Sequence, residues 1–191
     1  MKLYELTEAF SDMGKLSDDQ LDKSNTEIAP LTFKQVDGRI FHKAITRIRQ
    51  NDMAKGNHAK GLESLTVYSA SDYQKAACFL GSNNACGYAI KSGNELVSVF
   101  SANSGAGRAI MASANQNGAN NLDCFATRSE DGSLSGPLYS LYSKAGYRVD
   151  KSKNEGTAGE PYAIVNGVSS FVDDAGQVHN DDPRVVIFMR R

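Results

Sequence analysis

The stretch of this chain best suited to chemistry is an apolar strand that ends in a glycine turn and runs on into a helix. Leu96, Val97, Val99 and Phe100 supply the strand, Gly105 and Gly107 the turn, and the residues from Arg108 onward are rich in Ala, Met and Ile. Such a turn aims several unpaired backbone N–H groups, backed by the positive end of the helix dipole, at one point. It predicts an anion site, and a phosphate is the fitting occupant. Glycine turns also join strands to helices for steric reasons alone, so the turn by itself leaves both readings open.

Other chemistries are poorly supplied. The histidines His42, His58 and His179 are widely spaced and stand near no cysteine pair, which argues against a metal site. Cys124 has no histidine in an identifiable relation to it, and it reads as a small buried apolar residue rather than a nucleophile. No Lys-Ser/Thr follows the glycines and no acidic residue stands at a suitable strand end, which argues against a nucleotide-binding enzyme built on the same turn.

Several elements must position this turn. Cys86–Ile90 and Glu95–Phe100 read as two strands of a hairpin across Lys91-Ser-Gly-Asn94. The following helix runs from Arg108 to Asn117, with Gly118 where a left-handed C-cap is wanted. Asn121–Ala126 reads as a buried strand parallel to the one before the helix, because a helix separates them. A loop with Gly132, Gly136 and Pro137 leads to a helix over Leu138–Ala145, on which Leu138, Leu141, Tyr142 and Ala145 share a face. Gly146 stops it, and Tyr147–Val149 begins another strand. Asn166-Gly167 between apolar runs is the strongest hairpin signal in the chain, and Val185–Met189 is a terminal strand.

Upstream, Leu31–Val36 predicts a short strand with a turn at Asp37-Gly38. Ile40, Phe41, Ala44, Ile45 and Ile48 then recur at helical spacing, with His42 beside the stripe as a packing residue and Lys43, Arg47 and Arg49 mostly on the solvated side. Asn51–Gly61 reads as a loop and Leu65–Tyr68 as a strand. Two capping boxes are expected, Ser17–Gln20 and Ser71–Gln74, the second opening a helix of about three turns with Tyr73, Ala76, Ala77 and Leu80 on one face.

The chain has 191 residues, enough for one domain with a sizeable core and an appendage. A net charge of −1 from 21 basic and 22 acidic residues argues against broad nucleic-acid binding. The apolar runs are too short to cross a bilayer, the first residues lack a signal-peptide core, and an odd number of unpaired cysteines suits a reducing compartment. A cytoplasmic protein with no membrane contact is expected.

Two segments together resemble the GNAT superfamily of N-acetyltransferases. Ala102-Asn-Ser-Gly-Ala-Gly107 resembles its pyrophosphate turn, Gln/Arg-x-x-Gly-x-Gly/Ala, except that Ala102 replaces the Gln or Arg, a charge that Arg108 is placed to supply. Leu141-Tyr-Ser-Lys-Ala-Gly-Tyr147 resembles the Leu-Tyr-x-Lys-x-Gly-Phe signature, in the right order and at the right distance. The resemblance covers residues 61–191 and leaves 1–60 as an N-terminal helical extension. It implies an α/β (α+β) fold, a mixed and mostly antiparallel twisted sheet with a central V-shaped splay, flanked by helices.

What the resemblance implies for function is acetyl-CoA-dependent transfer of an acetyl group to an amine of a small molecule or protein. Val97, Val99, Phe100 and Ser101 would pair with the pantetheine arm, and Gly105, Ala106, Gly107, Arg108 and Ala109 would hold the pyrophosphate. Tyr142 matches the acid that protonates the departing thiolate, or else is a core aromatic. Glu95 and Asp123 are candidates for a base, each also explicable as structural. The acceptor would enter near the long loop before the last strand, where Asp173, Asp174, Asp181 and Asp182 suit a cation or a solvated loop equally. The alternative is a catalytically inactive domain of the same fold, virus-encoded, that binds or inhibits a partner protein, with the missing Gln or Arg at position 102 as its motive.

Overall fold

The computed structural model describes residues 31–54, 65–102, 105–153, 162–172, 178–179 and 184–191. The expected capping box at Ser17–Gln20, most of the loop after Asn51 and the acidic residues Asp173, Asp174, Asp181 and Asp182 lie outside them. The protein is α/β, with a mixed, mostly antiparallel, open sheet and few helices. Two compact units are present. One holds the chain up to Ala89 together with Ser98–Ile110, the other Ile90–Val97 with Met111–Arg191.

In the first unit, β1 (Phe33–Val36) pairs antiparallel with β2 (Ala77–Gly81), Phe33 opposite Gly81 and Val36 opposite Cys78. The order continues through β3 (Cys86–Lys91) to β4 (Glu95–Ser101). Tyr88 on β3 is fully buried and stacks on Phe79, ring centroids 4.9 Å apart. The helix α1 (Gly38–Ala54) follows β1 directly. Its stripe is the expected one for Phe41, Ala44, Ile45 and Ile48, all buried, whereas Ile40 at the edge of the stripe is 55% exposed.

Where a turn was expected, Asp37 and Gly38 start this helix. The Asp37 carboxylate accepts the Arg39 N–H at 2.8 Å, as an N-cap does, and its carbonyl accepts the Phe41 N–H. Gly38 serves a close approach, since a Cβ there would strike the backbone carbonyl of Tyr73.

The stretch after Leu65 departs from expectation in two ways. Leu65–Tyr68 joins no ladder; its polar backbone groups bond to side chains described below. The helix that follows, α2 (Ala70–Gln74), is a little over one turn long and is capped by Ser69, not Ser71. Ser69 Oγ accepts the Asp72 N–H, and the Asp72 carboxylate accepts the Ser69 N–H. An ionised acceptor at the third position makes the stronger reciprocal box. Ala77 and Leu80, spaced as on a helix, lie in β2, which is buried along nearly its whole length and so shows no alternation.

In the second unit the order is β4, β5 (Asn121–Arg128), β11 (Arg184–Arg190), β9 (Val168–Val172) and β10 (Val178–His179). The strand β6 (Leu134–Ser135) pairs with β5, β7 (Arg148–Val149) with β11 and β8 (Tyr162–Val165) with β9. As expected, β4 and β5 are parallel, registered at Glu95 opposite Asn121. The long antiparallel pair is β5 with β11, from Arg184 opposite Thr127 to Arg190 opposite Asn121. The β8–β9 hairpin turns at Asn166 and Gly167 with φ of 52° and 82°, the left-handed pair that this dipeptide favours.

Two helices complete the elements of the described residues. The glycine turn feeds α3 (Gly107–Gln116), ended by Gly118 at φ 91°. Pro137 opens α4 (Pro137–Lys144) and Gly146, at φ 97°, closes it. Tyr142 is its buried residue, while Leu138 on the expected apolar face is 42% exposed. Among the described residues no helix is long and apolar enough to cross a membrane.

Candidate functional site

The candidate residues fall into two groups, one in each unit. In the first unit, β4 delivers Ser101 and Ala102 to the turn, and the Ala102 N–H donates to the Ala85 carbonyl at 2.8 Å. Gly105 has φ 85°, and a Cβ built there would meet nothing within 4 Å. Among the described residues its glycine is required by conformation and not by space. The helix α3 then begins with no acidic residue in its first turn, Arg108 is exposed, and the first internal bond runs from the Ile110 N–H to the Ala106 carbonyl at 2.9 Å. The N–H groups of Gly107, Arg108 and Ala109 precede that bond and have no acceptor within the helix.

Along β4, Phe100 is buried against Phe41, ring centroids 5.7 Å apart, and Val99 is half-buried. Any contact of Phe100 with a ligand therefore runs through its backbone. Between Val97 and Val99 the strand does something no apolar pattern announces. Ser98 is buried yet has φ 52°, a left-handed residue inside a strand. Its hydroxyl donates to the Thr66 carbonyl at 3.2 Å. Having spent its one proton there, it accepts from the Tyr73 hydroxyl at 2.8 Å. Tyr73 Oη in turn accepts the Tyr68 N–H at 3.2 Å. Thr66 and Tyr68, expected in a strand, thus find their partners in side chains. Neither Ser98 nor Tyr73 stands out by residue type; the only sequence signal is a polar residue in the middle of the apolar run Leu96–Phe100.

In the second unit, Tyr142 on α4 is 5% exposed, its ring edge-on to Tyr147 at 6.3 Å between centroids. Burial, then the charges of Cys124, Asp123 and Tyr147, raise its pKa above the ordinary phenol range. The hydroxyl is thus held protonated. Among the described residues it has no hydrogen-bond partner. Cys124 on β5 is buried, its thiol pushed up to about 12 by burial and then by the Asp123 carboxylate, with Sγ 3.8 Å from Met189 Sδ. A thiol so held is not a nucleophile at neutral pH.

Glu95 and Asp123 line one cavity of about 320 Å³, together with Asn121, Asp150, Lys153 and Arg190. Asp123 points to the open side of β5, but the atoms crowding its carboxyl raise its pKa, burial being the main cause and Lys91 opposing it. Asp150 is lowered by its bonds to Ser152 and then by Arg190 and Lys153. The structure therefore brings Glu95 and Asp123 together at one cavity, and sets Tyr142 near the Cys124 face of the same strand. Val97 is buried in this unit. No group of three or more His, Cys, Asp or Glu side chains among the described residues is arranged to hold a metal ion. No protein-family model, curated protein or solved structure matches the chain.

Proposed function

We propose that this protein is a cytoplasmic, acetyl-CoA-dependent N-acyltransferase that delivers an acetyl group to an amine of a small molecule or a protein. The observation that carries the reading is the strand, turn and helix: β4 ends at Ser101, Gly105 turns at φ 85°, and a ten-residue helix starts at Gly107 with no acid in its first turn. On this reading the N–H groups from Gly105 to Ala109 hold the pyrophosphate, and the exposed Arg108 supplies the charge that Ala102 lacks. The backbone of Val97, Val99, Phe100 and Ser101 lies along the pantetheine arm, as a neighbouring strand would.

Acetyl-CoA brings the activated thioester, and little is left for side chains to do. Tyr142, held protonated, gives its proton to the sulfur as the C–S bond breaks. Glu95 or Asp123, through water, takes the proton lost by the amine; the raised pKa of Asp123 suits it to that exchange.

The second reading, a domain that binds a partner without turnover, draws on Ala102. Its side chain offers no contact to a phosphate and its N–H is committed to Ala85. Titration calorimetry with acetyl-CoA separates the two. Heat and thermal stabilisation are expected, followed by a gain of one acetyl group on candidate amines by intact mass; no binding at millimolar cofactor sinks the enzyme reading.

A further inference from the structure

A left-handed residue that is not glycine costs about 1–2 kcal/mol and persists only where its surroundings over-determine it. Ser98 is so determined. Three bonds run in one direction, from the Tyr68 N–H to Tyr73 Oη, from the Tyr73 hydroxyl to Ser98 Oγ, and from the Ser98 hydroxyl to the Thr66 carbonyl. They begin and end on the same extended segment, so that segment, Tyr73 and the bend in β4 form one closed structure. The Tyr73 ring is 1% exposed and packs edge-on to Phe41 at 4.9 Å and to Tyr68 at 5.9 Å. The central bond, between the Tyr73 and Ser98 hydroxyls, is buried, which strengthens it, while the two outer bonds are part-buried.

A regular strand with an apolar residue at position 98 would need none of this. Chains break local rules of this kind where function requires it. The bend also falls at a particular place: Val99, Phe100 and Ser101, which follow it, are the backbone assigned above to the pantetheine arm. We infer that Tyr73 and Ser98 form a latch that holds the bend in β4, making Tyr73 a positioning residue that sets where the backbone of Val99–Ser101 meets an extended acyl-carrying ligand. The ligand in this inference rests on the acyltransfer reading; the latch itself does not.

Two variants test it in the full chain. Tyr73→Phe keeps the ring and removes the hydroxyl. Ser98→Gly removes the other hydroxyl and leaves a residue at ease with the left-handed backbone, so it remains informative even if the tyrosine variant folds poorly. Native-state hydrogen exchange is expected to speed up about tenfold at the Val99–Ser101 amides in both, the scale of one buried hydrogen bond, while the Phe41–Ile48 amides of α1 stay as they are. Acetyl-CoA affinity, measured well below the melting temperature, is expected to fall by a similar factor. Exchange and affinity both within twofold of the unmodified protein would overturn the latch. Should the unmodified protein bind no acetyl-CoA, the acyltransfer reading falls, and the exchange of Val99–Ser101 alone decides the latch.

Discussion

The Tyr147 hydroxyl lies 3.0 Å from Asn115 Oδ1 and 3.1 Å from the Ala119 carbonyl, in a side chain with no exposed surface. One phenol thus ties the end of α3 to the chain just beyond α4. Replacing Tyr147 by Phe keeps the ring against Tyr142 but removes the one proton that Asn115 Oδ1 and the Ala119 carbonyl share, at a cost of about 1–3 kcal/mol. Urea denaturation should show that loss with an unchanged slope. An undiminished midpoint would mean that water replaces the hydroxyl.

Phe41 is the anchor of the first unit, fully buried and in ring contact with both Tyr73 and Phe100. Phe41→Ala removes an aromatic side chain from a packed site and leaves a cavity, for an expected loss of about 3–5 kcal/mol. Thermal and urea unfolding measure it. A loss below about 1 kcal/mol would mean that α1 collapses into the gap and that the cluster is less tightly packed than the ring distances imply.

Glycine positions of two kinds make a paired prediction. At Gly105 an added methyl meets nothing within 4 Å among the described residues, so Gly105→Ala is expected to cost the left-handed backbone alone, about 1–2 kcal/mol. At Gly38 the methyl would strike the Tyr73 backbone, and Gly38→Ala should destabilise more, or fail to fold. The two should part again in binding: Gly105→Ala weakens acetyl-CoA far more than its stability loss explains, because the turn changes shape. Equal effects on both properties at both sites would remove the turn from the ligand site.

How far the sequence could carry this picture depended on how local each cause is. The Asn166-Gly167 hairpin, the caps at Gly118 and Gly146 and the parallel placement of β5 were legible because a residue type or a connection dictates them. The boundary between α2 and β2 was not, since Tyr73, Ala77 and Leu80 are all apolar, and a short strand buried on both faces looks like a helix face. Ser98 was opaque for a different reason. Serine does not prefer a left-handed backbone, and the bonds that impose it come from Thr66 and Tyr73, far along the chain. In the candidate site, the sequence of strand, glycine turn and helix was foreseen from residue types; the shared cavity of Glu95 and Asp123 was not, because it depends on where β11 places Arg190.

Tyr142 offers the direct test of the acid. Its hydroxyl is held protonated and has no partner among the described residues, so Tyr142→Phe removes a proton donor and little else. Turnover should fall by about a hundredfold or more while acetyl-CoA affinity stays the same. Steady-state kinetics beside calorimetry read both quantities, and an unchanged kcat would take Tyr142 out of the mechanism.

The thiol of Cys124 sets a limit on the alkaline side. Its pKa is pushed up to about 12 in the folded protein from an ordinary value of 9.0, by burial first and by Asp123 second. Between those values the unfolded chain has lost the proton and the folded chain keeps it. The folded state then binds more protons, so stability falls as pH rises, by about 1.4 kcal/mol per pH unit above pH 9. Below pH 9 both states hold the proton and the contribution is fully present. Cys78, also raised by burial, adds to the fall and is unaffected by a change at position 124, whereas Tyr142, raised first by burial and next by Cys124 itself, loses part of its own shift when Cys124 is removed. Cys124→Ala should therefore cost stability at pH 7 through its cavity, yet close the gap to the unmodified protein steadily from pH 9 upward. Urea midpoints measured across that range test it, and a gap that stays constant with pH would show that the Cys124 thiol ionises in the folded state as readily as in the unfolded one.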